Sequence, residues 1–93
     1  MIKATKIKMQ TGKVNSNLLT EIDSIYLEGV TDNGFYKKES VHDFLKNNPG
    51  ATIQVNISPY PKLIPVSNNN QRYVRSEAND TTADNLLKLP REN

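Results

Sequence analysis

The residues best equipped for chemistry gather near the end of the chain, in Arg72-Tyr73-Val74-Arg75-Ser76 and the Asn/Asp/Thr-rich stretch after it. Tyr73 and Arg75 flank Val74, so in an extended segment they share one face and Val74 takes the other. A guanidinium fork suits phosphate or carboxylate, and a phenol ring beside it offers a surface on which a base can stack. Together with Arg72, and with Asp80, Asp84 and Asn85 around the closing loop, they make up the candidate ligand-binding set; Tyr36, Lys37 and Lys38 would extend it if the fold brings them close. The structural alternative is equally explicit. Tyr73 would pack in the core with its hydroxyl bonded, and Arg75 would pair with Asp80 or Asp84 and lock the loop.

Other chemistry is sparse. His42 is the single histidine and there is no cysteine, so neither a soft-metal site nor a nucleophile-base pair can be assembled around them. A lone histidine inside a helical stretch reads as a partly exposed surface residue. Asp80 and Asp84 with Asn79 lack the spacing of a calcium loop, and Asx residues there read as turn caps. Gly12, Gly29, Gly34 and Gly50 are scattered at turns, so no glycine-rich phosphate loop exists. No catalytic residue, no metal site and no cofactor are expected, and the chain is read as a non-enzyme.

Positioning those groups falls to a small set of elements. Residues 3–10 alternate from Lys6 to Met9 as a strand with one basic face, and residues 11–17 read as a loop. Residues 21–30 are rich in β-branched and aromatic side chains and read as a second strand, ending at the turn signal Asp32-Asn33-Gly34. Ser40 with Asp43 resembles a capping box, and Val41, Phe44 and Leu45 follow helical spacing, predicting a helix over residues 38–47 that Asn48-Pro49-Gly50 stops. In residues 52–58, Ile53, Val55 and Ile57 alternate with polar neighbours as a strand. Pro59, Pro61 and Pro65 confine the next stretch to an edge or connector, with a short strand at residues 63–67. Asn68-Asn69-Asn70 turns the chain into a last strand at residues 71–77, and Asp84 ahead of Leu86, Leu87 and Leu89 predicts a capped helical turn pinned by its leucines. The predicted order is β-β-α-β-β-β with a short C-terminal helical turn: an α+β fold, a mostly antiparallel sheet of four to five strands packed on one helix, in a single domain spanning residues 1–93.

The run Tyr-Val-Arg-Ser, a short Asn/Asp/Thr loop and then Asp-Asn-Leu-Leu-Lys-Leu-Pro resembles the closing signature of a family of small bacterial and phage proteins defined only as a domain of unknown function. The opening Met-Ile-Lys-Ala-Thr-Lys-Ile and the helix after Gly34 are similar to that pattern as well, so the likeness spans nearly the whole chain. Ser76 stands where the resemblance would place Thr, and the hydroxyl is kept. The resemblance implies a bacterial or prophage setting and carries no catalytic residues with it.

With 93 residues the chain can build one modest core. Its net charge of +2, from 12 basic and 10 acidic residues, is far from that of a dedicated nucleic-acid binder, so at most weak, salt-sensitive binding through Lys3, Lys6, Lys8 and Lys13 is expected. No stretch approaches the roughly 20 apolar residues of a membrane span, and the first residues lack the apolar run of a signal peptide, so a cytoplasmic protein without membrane partners is expected. The leading functional expectation is capture of a phosphate-bearing ligand, such as a signalling nucleotide, between the last strand and the closing loop. The alternatives are a protein-interaction module acting through a sheet edge or as a homodimer, and the weak nucleic-acid binder.

Overall fold

Ala4, Ile7 and Met9 do not keep a strict two-residue alternation, and the way the backbone accommodates them sets up the sheet. The computed structural model describes residues 1–77 and 84–92. Strand β1 (Ile2–Met9) runs antiparallel to β2 (Ile22–Glu28), with a register shift between Ala4 and Lys6 and another between Lys8 and Met9. Thr5 is the extra residue at the first shift. A bulge of this kind turns the following side chains over by one position. Ala4, Ile7 and Met9 therefore all face the core, while Lys3, Lys6 and Lys8 stay on the other side.

Strand β3 (Gly34–Lys37) pairs antiparallel with β2, and β4 (Ile53–Val55) pairs parallel with β1, giving the order β3-β2-β1-β4. A parallel pair needs a crossover, and helix α1 (Lys38–Asn47) lies in it. Strands β5 (Leu63–Asn68) and β6 (Gln71–Ser76) form a separate antiparallel hairpin. Its turn residues Asn69 and Asn70 have φ of 50° and 63°, the left-handed conformation that asparagine tolerates and that a two-residue hairpin loop requires. A short 3-10 turn (Leu19–Glu21) precedes β2, and another (Asn85–Lys88) closes the fold.

The α+β class and the position of the helix are as the sequence predicts. The strands differ in two respects. Four residues, Gly34–Lys37, form a third strand ahead of the helix, too short to show a period, and the strands divide into two sheets. Because β3 runs straight into α1, the N-cap position is Lys37, which makes no side-chain cap, and Ser40 lies within the first turn instead of capping it. The buried face of α1 is Lys38, Val41, His42 and Leu45. His42, expected at the surface, is only 6% exposed, whereas Phe44, which shares the helical spacing of the buried Val41 and Leu45, is 39% exposed.

One cluster of buried side chains joins all these elements. Ile7, Ile25, Ile53 and Val55 come from the four-stranded sheet, Val41 and Leu45 from α1, Leu63 and Val74 from the hairpin, and Leu86, Leu87 and Leu89 from the closing segment. The closing segment then lies along β1: the Ile7 N–H donates to the Pro90 carbonyl and the Glu92 N–H to the Ile7 carbonyl, both at 2.9 Å. Among the described residues no helix is long and apolar enough to cross a membrane.

Candidate functional site

In β6 the side chains of Val74 and Ser76 point inward, at 1% and 2% exposure, and Tyr73 and Arg75 occupy the opposite face as their spacing requires. Across the hairpin Tyr73 stands opposite Val66 and Arg75 opposite Ile64. Arg72 therefore departs from the direction of the other two. Its guanidinium pairs with Asp43 on α1, which also meets the His42 Nδ1 at 2.9 Å. The hydrogen bond to His42 and then the one from Arg72 hold the Asp43 carboxyl below the ordinary aspartate range.

Asp84 is engaged locally. Its carboxylate accepts from the Ser76 hydroxyl at 2.7 Å, from the Ser76 N–H at 3.1 and 3.2 Å to its two oxygens, and from the Leu86 N–H at 2.9 Å. It is thus the cap of the closing turn, tied to the end of β6 through Ser76. Arg75 donates to the Ser76 carbonyl at 3.1 Å. The lock between strand and closing turn is a serine hydroxyl and two backbone amides, and among the described residues no Arg75–Asp84 ion pair takes part in it. Asp80, the other expected partner of Arg75, lies outside the described residues. Asn85 is 3% exposed, and its Nδ2 has no hydrogen-bond partner among the described residues.

Tyr73 and Arg72 nevertheless line two separate depressions beside residues 17–20, which share Leu18 and Thr20 and together make up a two-lobed groove. One lobe, of about 600 Å³, has Leu18, Thr20, Tyr73, Asp84 and Leu87 in its walls. The adjoining lobe, of about 490 Å³, is lined by Gln10, Lys38, Gln71 and Arg72 and shares Leu18 and Thr20 with the first. Both volumes are within the usual range for small-molecule sites. Lys38 was expected only as a possible neighbour, and its burial is a tertiary effect: the side chain is 8% exposed, with Nζ 2.9 Å from Glu39. For Glu39, burial acts to raise the carboxyl's pKa, but the Lys38 hydrogen bond and nearby cations outweigh it and the net shift is downward. Glu21, at the same lobe, is held down by hydrogen bonds from Ser16 and then Lys13. A smaller depression of about 280 Å³ between the β2–β3 connection and α1 is lined by Leu27, Val30, Tyr36 and Phe44 with no cation among its walls, and it suits an anion poorly.

Arg75 and Asn85 line neither lobe, while Arg72, Tyr73 and Asp84 do. Sequence reasoning missed Leu18, which is 60% exposed between the lobes, and Arg91. The Arg91 guanidinium donates to the carbonyls of Val14, Ser16 and Leu87, fastening the loop after β1 to the closing segment. An isolated arginine near a terminus carries no local signal of such a role. Among the described residues no group of three or more His, Asp or Glu side chains is placed to hold a metal ion.

No curated protein and no solved structure significantly matches the chain. A family model described as "Protein of unknown function (DUF3892)" matches residues 3–90 and so takes in β1, the groove and the capped closing turn; the chain belongs to that family.

Proposed function

We propose that the chain is a non-enzymatic binding module that captures a phosphate-bearing small molecule, with nucleotides the leading class, in the groove between residues 17–20 and β6. The observation that supports this is that Arg72 lines one lobe, with Lys38 and the carboxylates Glu21 and Glu39, while the Tyr73 ring lines the other and the exposed Leu18 lies in both. Phosphate belongs with the cations, and a base or other flat group with Tyr73 and Leu18. The Arg72–Asp43 pair is no obstacle. Its side chains are 49% and 44% exposed, and such surface pairs contribute only about 0–1 kcal/mol. In a bacterial or prophage setting, which rests on the resemblance of the closing signature, such capture would lower the free concentration of a signalling nucleotide.

A thermal-shift screen with mono-, di- and cyclic nucleotides tests the proposal, since a ligand at 100 times its Kd adds about 2.7 kcal/mol to stability. Arg72→Lys should weaken the responding nucleotide because the two-pronged geometry is lost, and Tyr73→Leu should weaken it if the ring stacks. A folded protein that no nucleotide stabilises, or one whose response survives both changes, refutes capture at this groove. The competing reading, a homodimer through a sheet edge, draws on the outer edge of β3, which has no partner strand among the described residues. A concentration-dependent dimer in sedimentation, without nucleotide response, would favour it.

A further inference from the structure

The groove leaves unused the face of the four-stranded sheet turned away from the core. One row across it runs from Lys6 on β1 to Tyr26 on β2 to Phe35 on β3, and the next from Lys8 to Ser24 to Lys37. The Lys6 Nζ is 4.9 Å from the centroid of the Tyr26 ring and the Lys8 Nζ 4.7 Å from that of Phe35. The two rings meet edge to face, with centroids 5.1 Å apart and planes at 83°. Lys3 lies on the same side, across from Glu28.

We propose that this face binds single-stranded nucleic acid, weakly and without sequence preference, with Tyr26 and Phe35 stacking bases and Lys3, Lys6 and Lys8 taking phosphates. The charge arrangement favours a polyanion. Lys6 and Lys37 are held by Glu92 and Asp23 at 3.1 and 3.0 Å, but Lys3 and Lys8 have no carboxylate within ion-pair distance among the described residues. Tyr26 and Phe35 are half-buried, so an ammonium lying over either ring is a weak interaction, and a base that takes its place on the ring releases the lysine toward the phosphate attached to that base. Rings set in a sheet among flexible cations are a general means of holding unpaired bases, whereas a duplex keeps its bases stacked and offers only its backbone. Net charge is silent on this because it does not register where the cations sit. The face shares no residue with the groove, so the two proposals succeed or fail separately.

The test is fluorescence anisotropy of the full chain with labelled oligo(dT) and oligo(U) of about 15 nucleotides. A duplex of equal length and heparin, a polyanion without bases, serve as comparisons. Micromolar binding to either single strand is expected, with a log–log salt slope near −2, since each of three phosphate contacts contributes about −0.7. Lys8→Ala, on the solvent side, should reduce the slope by about one such step. Phe35→Leu, if circular dichroism shows it folded, should weaken binding roughly tenfold or more; if it does not fold, Lys3→Gln combined with Lys8→Ala decides the matter through loss of binding. The proposal is overturned by no binding at about 50 mM salt, by equal affinity for the duplex or heparin, or by affinity unchanged in the folded variants.

Discussion

Replacing Asp84 with alanine should destabilise the protein far more than any change at Arg75. The Asp84 carboxylate serves the Ser76 hydroxyl, the Ser76 N–H and the Leu86 N–H, and these donors belong to residues only 2% and 0% exposed. Water cannot readily take over. Loss of the cap at Leu86 costs about 1 kcal/mol. The Ser76 hydroxyl can rotate to another acceptor, but its N–H is left buried without one, at about 1–3 kcal/mol. The sum is about 2–4 kcal/mol, a large part of the ~5–15 kcal/mol that stabilises a small domain. For a chain of this length that lowers Tm by roughly 10–30 °C. Arg75→Met removes only a bond to the neighbouring carbonyl and should cost less than about 1 kcal/mol. Urea denaturation followed by circular dichroism measures both, and a double-mutant cycle of Ser76→Ala with Asp84→Ala should show a coupling of about 0.5–3 kcal/mol. If Asp84→Ala stays within about 0.5 kcal/mol of the parent, or if Arg75→Met costs more, the lock has been misassigned.

Gly29→Ala should also destabilise: φ there is +87°, and a Cβ would stand 2.3 Å from the Met1 carbonyl oxygen. The conformation alone costs about 1–2 kcal/mol for a non-glycine residue, and the start of β1 must move as well; an unchanged denaturation midpoint would show that the close approach does not exist in solution. Acid should weaken the fold through Glu21, Asp23, Glu39 and Asp43, all held below their ordinary values of 4.5 for glutamate and 3.8 for aspartate. A carboxyl with a depressed folded pKa contributes stability that is present above the unfolded value and lost as pH falls through the folded one, so the denaturation midpoint should drop as pH is lowered past these ordinary values. Asp43→Asn should make that decline shallower, and an identical pH profile would exclude a part for the Arg72–Asp43–His42 cluster.

What could be read from the chain by itself was local. The helix Lys38–Asn47 follows from a short apolar period and the Asn48-Pro49-Gly50 stop, the hairpin turn from consecutive asparagines, and the inward Ile53 and Val55 from two-residue alternation. The Asp84 cap and its leucines were legible for the same reason: cap, donor and apolar contacts lie within a few residues of one another. The basic face of β1 was visible in its lysines, although the bulge at Thr5 that keeps Lys3 on that face with Lys6 and Lys8 was not. Tertiary structure decided the rest. It gave Asp84 a serine as partner instead of an arginine, sent Arg72 to Asp43, buried Lys38 and His42, and set Tyr26 and Phe35 beneath lysines from another strand. Each of these joins residues from different elements, and their meeting is fixed by how the sheet, helix and hairpin share one core, a property that no window of sequence contains.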